Sequence, residues 1–307
     1  MNQLYRRAVL KLAGQPKLRG LLERRGMDWG VRRFVAGRSL PEAAEQISRL
    51  NASGLLATLD FLGESVRDRE QVEQTCMMIV RMLDDIRQRG LQANISLKLS
   101  QLGLLFDESL CLGHMELIVE RARSYGQFIR IDMEDSSLTV PTLSIFERLL
   151  RAYGPETVGV VIQSYLRRSP EDVDRLTGLG ANLRIVKGAY REPAQIAFPD
   201  KRDVDAAYLE LVRSALDRGT YTAVATHDTR IIREVICYAS EHGIARDRFE
   251  LQMLYGIAGS LQTQLAAEGY RVRVYTPFGE QWYPYFSRRI AERPANLWFV
   301  LKGLMRS

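Results

Sequence analysis

The sequence has little histidine and little cysteine, and neither is arranged for metal chemistry. His114, His227 and His242 stand far apart, with no His-x-His or HExxH pattern, which argues against a zinc or iron centre of histidine type, so no metal is expected. Cys76, Cys111 and Cys237 are scattered and odd in number. They form neither a disulfide framework nor a CxxC knuckle and read as reduced packing residues. No run of about 18 apolar residues occurs, so no segment is a candidate transmembrane helix, and residues 1–39 lack the apolar stretch of a signal peptide. A cytoplasmic protein is expected. The chain also lacks GxGxxG, GxxxxGK[ST] and GxSxG patterns, which removes a Rossmann nucleotide site, a P-loop and a hydrolase nucleophile elbow.

What the chain has is the balance of a soluble globular protein, 46% hydrophobic and 26% charged over 307 residues. Its net charge of +6 is uneven: residues 1–38 hold ten Arg and Lys against Glu23 and Asp28, a local +8, leaving the remainder at −2. Within that arm Leu4, Tyr5, Ala8, Val9 and Leu12 fall on one helical face and Arg6, Arg7 and Lys11 on another. Such a helix can lie on an anionic membrane, making the protein peripheral at its inner face, or pack on the domain or a partner subunit. No aromatic-interleaved basic motif or zinc finger points to nucleic acid, so no nucleic-acid partner is expected.

After the arm, Ser39-Leu40-Pro41-Glu42 reads as a helix start with a capping serine. Eight short apolar runs follow, at 55–59, 95–99, 128–131, 158–162, 183–186, 222–225, 249–253 and 272–275. Helical spacing fills segments between them, at 72–89, 115–125, 142–153, 204–217, 231–242 and 261–268. Eight strand and helix repeats without a linker predict an α/β fold, a (β/α)8 TIM-type barrel over residues 54–307, preceded by a helical arm over 1–53 within a single domain.

In such a barrel the reactive groups gather at the C-terminal strand ends. Those ends here carry Asp60 with Glu64 after it, Lys98, Asp132-Met133-Glu134-Asp135, Gln163, Lys187-Gly188-Ala189-Tyr190, Thr226-His227-Asp228, Gln252-Met253 and Tyr275. Lys98 and Arg184 lie inside apolar runs, so each requires an anionic partner, for Lys98 Asp60, Asp132 or a bound anion. Near the C-terminus, Trp282-Tyr283-Pro284-Tyr285-Phe286-Ser287-Arg288-Arg289-Ile290-Ala291-Glu292 puts Tyr285, Arg288, Arg289 and Glu292 on one helix face. An aromatic wall with two guanidinium forks suits a small anion with an apolar body. Any dinucleotide would have to lie across the barrel mouth.

These motifs, with Leu-Leu-Ala-Thr-Leu-Asp60-Phe-Leu-Gly-Glu64-Ser, Ser-Leu-Lys98-Leu, Ile-Asp132-Met-Glu-Asp, Arg184-Ile-Val-Lys187-Gly-Ala-Tyr190, Ala-Thr226-His227-Asp, Gln252-Met-Leu-Tyr-Gly and Tyr285-Phe-Ser-Arg288-Arg289-Ile-Ala-Glu292, together resemble bacterial monofunctional proline dehydrogenases over about residues 30–300. The resemblance implies a distorted barrel carrying noncovalent FAD and oxidising L-proline to Δ1-pyrroline-5-carboxylate by hydride transfer. Electrons would pass to a membrane quinone, and a separate pyrroline-5-carboxylate dehydrogenase would take the product. It implies that Lys98, Arg288 and Arg289 bind the proline carboxylate, that Tyr275, Tyr285, Ile185 and Tyr190 pack its ring, and that Asp132 and Arg184 serve catalysis. Met133, Gln163, Arg184, Val186, Lys187, Gly188, Ala189, Thr226, His227, Gln252 and Glu292 would hold FAD, and Glu64 would pair with Arg288 as a gate. Arg191 departs from the apolar residue common in the family. Two other readings remain: a Schiff-base lyase using Lys98 or Lys187, and a non-enzymatic platform presented through the basic arm.

Overall fold

The computed structural model describes residues 31–63, 66 and 68–292, the last without its side chain. Strands β1 (Leu56–Phe61), β2 (Ala93–Leu97), β3 (Ile129–Ile131), β4 (Val158–Gln163), β5 (Asn182–Val186), β6 (Thr222–Ala225), β7 (Phe249–Leu254) and β8 (Val272–Phe278) close into one parallel barrel in sequence order. The closing seam pairs Leu56 with Arg273 through Phe61 with Phe278. Helix α1 (Leu40–Ala52) precedes β1. Then α2 (Arg69–Arg89), α3 (Glu108–Ser124), α4 (Thr139–Tyr153), α5 (Ser169–Gly178), α6 (Lys201–Asp217), α7 (Thr229–Glu241) and α8 (Gly259–Ala267) link successive strands, and α9 (Tyr283–Glu292) follows β8. The observed architecture is the expected (β/α)8 barrel.

The strands alternate because the two faces of the barrel wall bury different chemistry. Leu59, Ile95, Leu97, Ile131, Leu183, Ile185, Leu251 and Val274 are shielded in the apolar layer under the helices. Thr58, Asp60, Ser96, Arg130, Asp132, Arg184, Glu250 and Gln252 are equally buried, and hydrogen bonds across the barrel, such as Arg184 Nη2 to Ser96 Oγ at 3.1 Å, put them on the lumen side. A buried polar lumen is tolerable only when its groups satisfy one another.

Helix ends follow local chemistry. The Asp107 side chain accepts from the Leu110 N–H at 2.9 Å to start α3, and Asp228 accepts from the Arg230 N–H at 3.2 Å to start α7. Each such cap contributes about 1 kcal/mol. Gly90 ends α2 in the left-handed region, φ 63°. Ser39 departs from its expected capping role: its hydroxyl donates to Glu42 Oε1 at 3.0 Å, so it orders the first turn of α1 without accepting a backbone N–H.

The distortion of the barrel lies in its last helix. Helix α1 packs on the outside of β1 and β8, burying Ala43, Ala44 and Ile47, and so covers the seam where an eighth crossover helix would lie. Helix α9 joins a separate cluster instead, in which Trp282, Tyr283, Tyr285, Phe286 and Ile290 meet Val31, Phe34, Val35 and Leu62, with Tyr275 packed against them. Leu62 follows β1 and Tyr275 lies in β8, so this cluster seats α9 beside the barrel mouth. The strap before α1 is stitched to β8: the Ala36 N–H donates to Pro277 O at 2.8 Å and the Gly279 N–H to Gly37 O at 3.0 Å. Residues 1–30 of the basic arm lie outside the described residues, and among those described no helix is long and apolar enough to cross a membrane.

Candidate active site

Asp132 is the centre of the barrel mouth. It follows β3, and its backbone N–H donates to Leu97 O at 2.8 Å. Its Oδ1 accepts from Ser96 Oγ of β2 at 2.6 Å and from Arg184 Nη2 of β5, and its Oδ2 accepts from the Tyr275 hydroxyl of β8 at 2.8 Å. Arg184 continues the network to Gln252 Oε1 of β7 at 3.2 Å, and its guanidinium carbon lies 5.4 Å from the Tyr275 ring centroid. Burial, then the neighbouring carboxylates Asp132 and Asp60, hold the Tyr275 phenol well above its usual range, so Tyr275 stays a donor.

Lys98 lies directly after β2 and pairs with Asp60 Oδ1 at 3.5 Å, both groups being buried. The sequence had required such a partner. Burial raises the Asp60 carboxyl more than Lys98 lowers it, and Asp132 adds to the rise. Asp60 can therefore carry a proton at a less acidic pH than an ordinary aspartate.

Helix α9 supplies the outer wall. Tyr285 and Arg289 are buried and lie on one face, with the Arg289 guanidinium carbon 5.0 Å from the Tyr285 ring centroid. Arg288 on the same helix is half-buried. The gate residue Glu64 lies outside the described residues, as does the Glu292 side chain.

The residues expected to hold a cofactor separate into two groups. Gln163, Thr226 and Gln252 are buried at the C-terminal ends of β4, β6 and β7. His227 accepts the Leu254 N–H on Nε2 at 2.9 Å, which leaves its Nδ1 as the ring's other hydrogen-bonding position. Met133 is buried in the main core, Val186 is half-buried at the end of β5, and Ala189 is exposed beyond it. Gly188 has φ +112°, and a Cβ there would stand 2.3 Å from the Tyr165 ring, so the backbone is kept bare where it approaches that aromatic surface. Lys187 is held by two carboxylates. Its ammonium lies 2.5 Å from Asp205 of α6 and 3.5 Å from Asp228, on the helix side of the wall, because it follows Arg184 by three places in a two-residue alternation. Ile185 is corrected for the same reason: with Arg184 in the lumen, Ile185 lies in the outer apolar layer and cannot pack a ligand in the mouth.

The mouth accommodates a flavin chemically. Arg184 Nε is buried with no hydrogen-bond acceptor among the described residues, and an electron-rich ring could take that donor. Both lysines of the lyase reading sit beside carboxylates, Lys98 beside Asp60 and Lys187 beside Asp205, and a paired ammonium is a poor nucleophile. Sequence reasoning had passed over Ser96, which joins Asp132 to Arg184, and had treated Asp60 only as a partner. It had also missed a second polar layer below: Arg130 donates to Val160 O and Asn182 O, while Arg273 Nε meets both Glu250 oxygens at 2.9 and 3.0 Å.

A family model described as Proline dehydrogenase matches residues 43–302. Proline dehydrogenase of Deinococcus radiodurans is 45% identical over 310 residues, covering 100% of this chain and 99% of its own. Proline dehydrogenase 1 of Bacillus subtilis strain 168 is 44% identical over 303 residues, covering 99% of this chain and 100% of its own. Among solved structures, proline utilization A (PutA) of Bdellovibrio bacteriovorus, inactivated by N-propargylglycine, matches with a TM-score of 0.80 at 24% identity, over 87% of this chain and 33% of that chain. The likeness to that longer protein, of which this chain spans about a third, is one of fold.

Proposed function

The chain belongs to the proline dehydrogenase family and oxidises proline as the first step of its breakdown, and we propose that it does so with noncovalently held FAD, converting L-proline to Δ1-pyrroline-5-carboxylate. The observation that carries this reading is the Asp132 hub, which fixes an arginine and a tyrosine from β5 and β8 in one orientation at the mouth. When bound, the flavin supplies at N5 the acceptor for a hydride from C5 of the proline ring.

In this reading Arg288 and Arg289 of α9, with Lys98, hold the substrate carboxylate, each charge-assisted contact contributing roughly 1.5–3 kcal/mol. Tyr275 and Tyr285 pack the ring, and Asp132 orients the cationic groups. Arg184 places its positive charge where negative charge develops, which lowers the barrier without reorganisation. Gln163, Thr226, His227 and Gln252, with the bare backbone at Gly188, would hold the cofactor. Asp60, buried and more basic than usual, supports taking up a proton close to the substrate-binding lysine. The aromatic cluster under α9 keeps water from the ring. A quinone would receive the electrons, and a separate pyrroline-5-carboxylate dehydrogenase would consume the product.

The test is the visible spectrum of the purified protein before and after anaerobic L-proline. A yellow flavin band that bleaches on adding proline is the expected result. A colourless protein that cannot be reconstituted with FAD would overturn the cofactor assignment.

A further inference from the structure

At the opposite end of the barrel from the mouth, the N-terminal strand ends border an open concavity of about 560 Å³. Arg87, Arg130, Arg271 and Arg273 line it, and Glu250 is the one carboxylate among its lining residues. That carboxylate is already engaged, by Arg273 Nε on both oxygens at 2.9 and 3.0 Å and by the Tyr221 hydroxyl at 3.0 Å. The other three guanidinium groups have no carboxylate within ion-pair distance among the described residues. Arg130 is 2% exposed and donates only to the neutral oxygens of Val160 and Asn182, and its Nε reaches no acceptor. Arg271 donates to Asp247 O at 3.2 Å, and Arg87 stacks over the Tyr125 ring at 4.4 Å. Burial and the charge of Arg184, with Arg273 adding to them, press the Arg130 guanidinium down to about 9 although Glu250 opposes the shift.

A buried guanidinium whose hydrogen bonds go only to neutral oxygens, beside two exposed guanidinium groups with no carboxylate in ion-pair distance among the described residues, gives this concavity a positive potential that attracts an anion. Planar guanidinium forks suit an oxyanion with two or more acceptor oxygens. We propose that the N-terminal end of the barrel is a binding site for a small oxyanion of the phosphate or dicarboxylate kind, separate from the substrate mouth. Arg130 forms its floor, and the exposed Arg87 and Arg271 form its rim. The floor of the site connects to the catalytic network through Arg273, Glu250, Gln252 and Arg184, whereas the rim residues Arg87 and Arg271 make no hydrogen bond or ion pair with that network among the described residues.

Inorganic phosphate is the probe, with the full chain and the thermal unfolding midpoint as readout, each phosphate sample being matched to sodium chloride of equal ionic strength. Phosphate also stabilises proteins non-specifically by exclusion from their surface, and that effect rises without saturating. The expected result is a saturable rise in midpoint that chloride does not reproduce. In Arg87→Gln/Arg271→Gln, which alters only exposed rim residues, the half-saturating concentration should increase tenfold or more, with proline turnover unchanged. Succinate distinguishes the sources: a response to both ligands assigns a general dianion site, and a response to phosphate alone assigns a phosphoryl group. A rise that does not saturate, or one that is the same in the double variant, would overturn the proposal.

Discussion

Asp132 takes three donors on two oxygens, and they come from three different strands. Its side chain therefore sets the positions of Ser96, Arg184 and Tyr275 relative to one another, which no contact between neighbouring residues could do. Asp132→Asn keeps the volume and shape but replaces an acceptor with an N–H₂ donor, which must face either the Arg184 guanidinium or the Tyr275 hydroxyl. The expected outcome is a fall in kcat/KM for proline of about a hundredfold or more, typical of removing one preorganised electrostatic partner. Steady-state assays with a soluble dye acceptor measure it. Wild-type kcat/KM in this variant would show that Asp132 does not organise the catalytic groups. Ser96 belongs to the same network yet drew no notice in the sequence, because a serine alternating with Ile95 and Leu97 reads equally well as the exposed side of a strand. Its meaning comes from where β3 and β5 place their charges, which is non-local information.

At the scale of elements, the turn after β5 is tightly constrained. Its backbone bonds to the loop after β4, with the Ser164 N–H donating to Val186 O at 2.8 Å and the Tyr165 N–H to Lys187 O at 3.0 Å. Gly188 sits there with φ +112° and the Tyr165 ring against its α-carbon. Gly188→Ala adds strain of about 1–3 kcal/mol from backbone conformation and drives a methyl group into the ring. The predicted result is a lowered unfolding midpoint together with a reduced ratio of flavin to protein after gel filtration. A variant that unfolds earlier yet keeps full flavin content would limit the glycine to a packing role. The eight strands and most helices were legible because helix-facing residues such as Leu183, Ile185 and Leu251 recur at strand spacing. Helix α5 was not picked out, since Ser169–Gly178 carries only Val173 and Leu176 as large apolar contacts. The turned-out ammonium of Lys187 was also hidden: the motif that contains it specifies a residue type, whereas the face it takes depends on where the strand ends. The arginine face of α9 was readable because helical spacing alone brings Tyr285 and Arg289 together.

At the scale of the whole molecule, the barrel encloses paired charges as well as an apolar layer. Buried in the lumen are Lys98, Arg130 and Arg184 together with Asp60, Asp132 and Glu250, and stability must vary with pH as these groups titrate differently in the folded and unfolded chain. Burial alone would raise the Glu250 carboxyl, but the charge and hydrogen bonds of Arg273, with Gln252 and Arg130, hold it below its ordinary value of 4.5. The unfolded chain therefore takes up that proton first as the pH falls, so the stabilisation is complete above the ordinary value and is lost as the pH drops through the folded one. Asp60 runs the other way. Its folded value is raised above 3.8, so the folded state takes up the proton first, and its contribution becomes less unfavourable as the pH falls through that value. Of these two lumen carboxylates, it is Glu250 that should weaken the molecule in acid. Glu250→Gln leaves Arg273 and Tyr221 without their charged partner, and at neutral pH a loss of about 3–5 kcal/mol is expected, as for breaking a buried pair from one side. Urea unfolding at a series of pH values measures both chains. The gap between wild type and variant should be widest near neutrality and should narrow as the pH falls below the ordinary value of 4.5 and through the lower folded one, because protonation then removes from the wild type the charge that the variant already lacks. A gap that stays constant from neutrality into acid would mean that the Glu250 pair does not bring pH sensitivity to the fold, and that the polar lumen stabilises the barrel through its neutral hydrogen bonds alone.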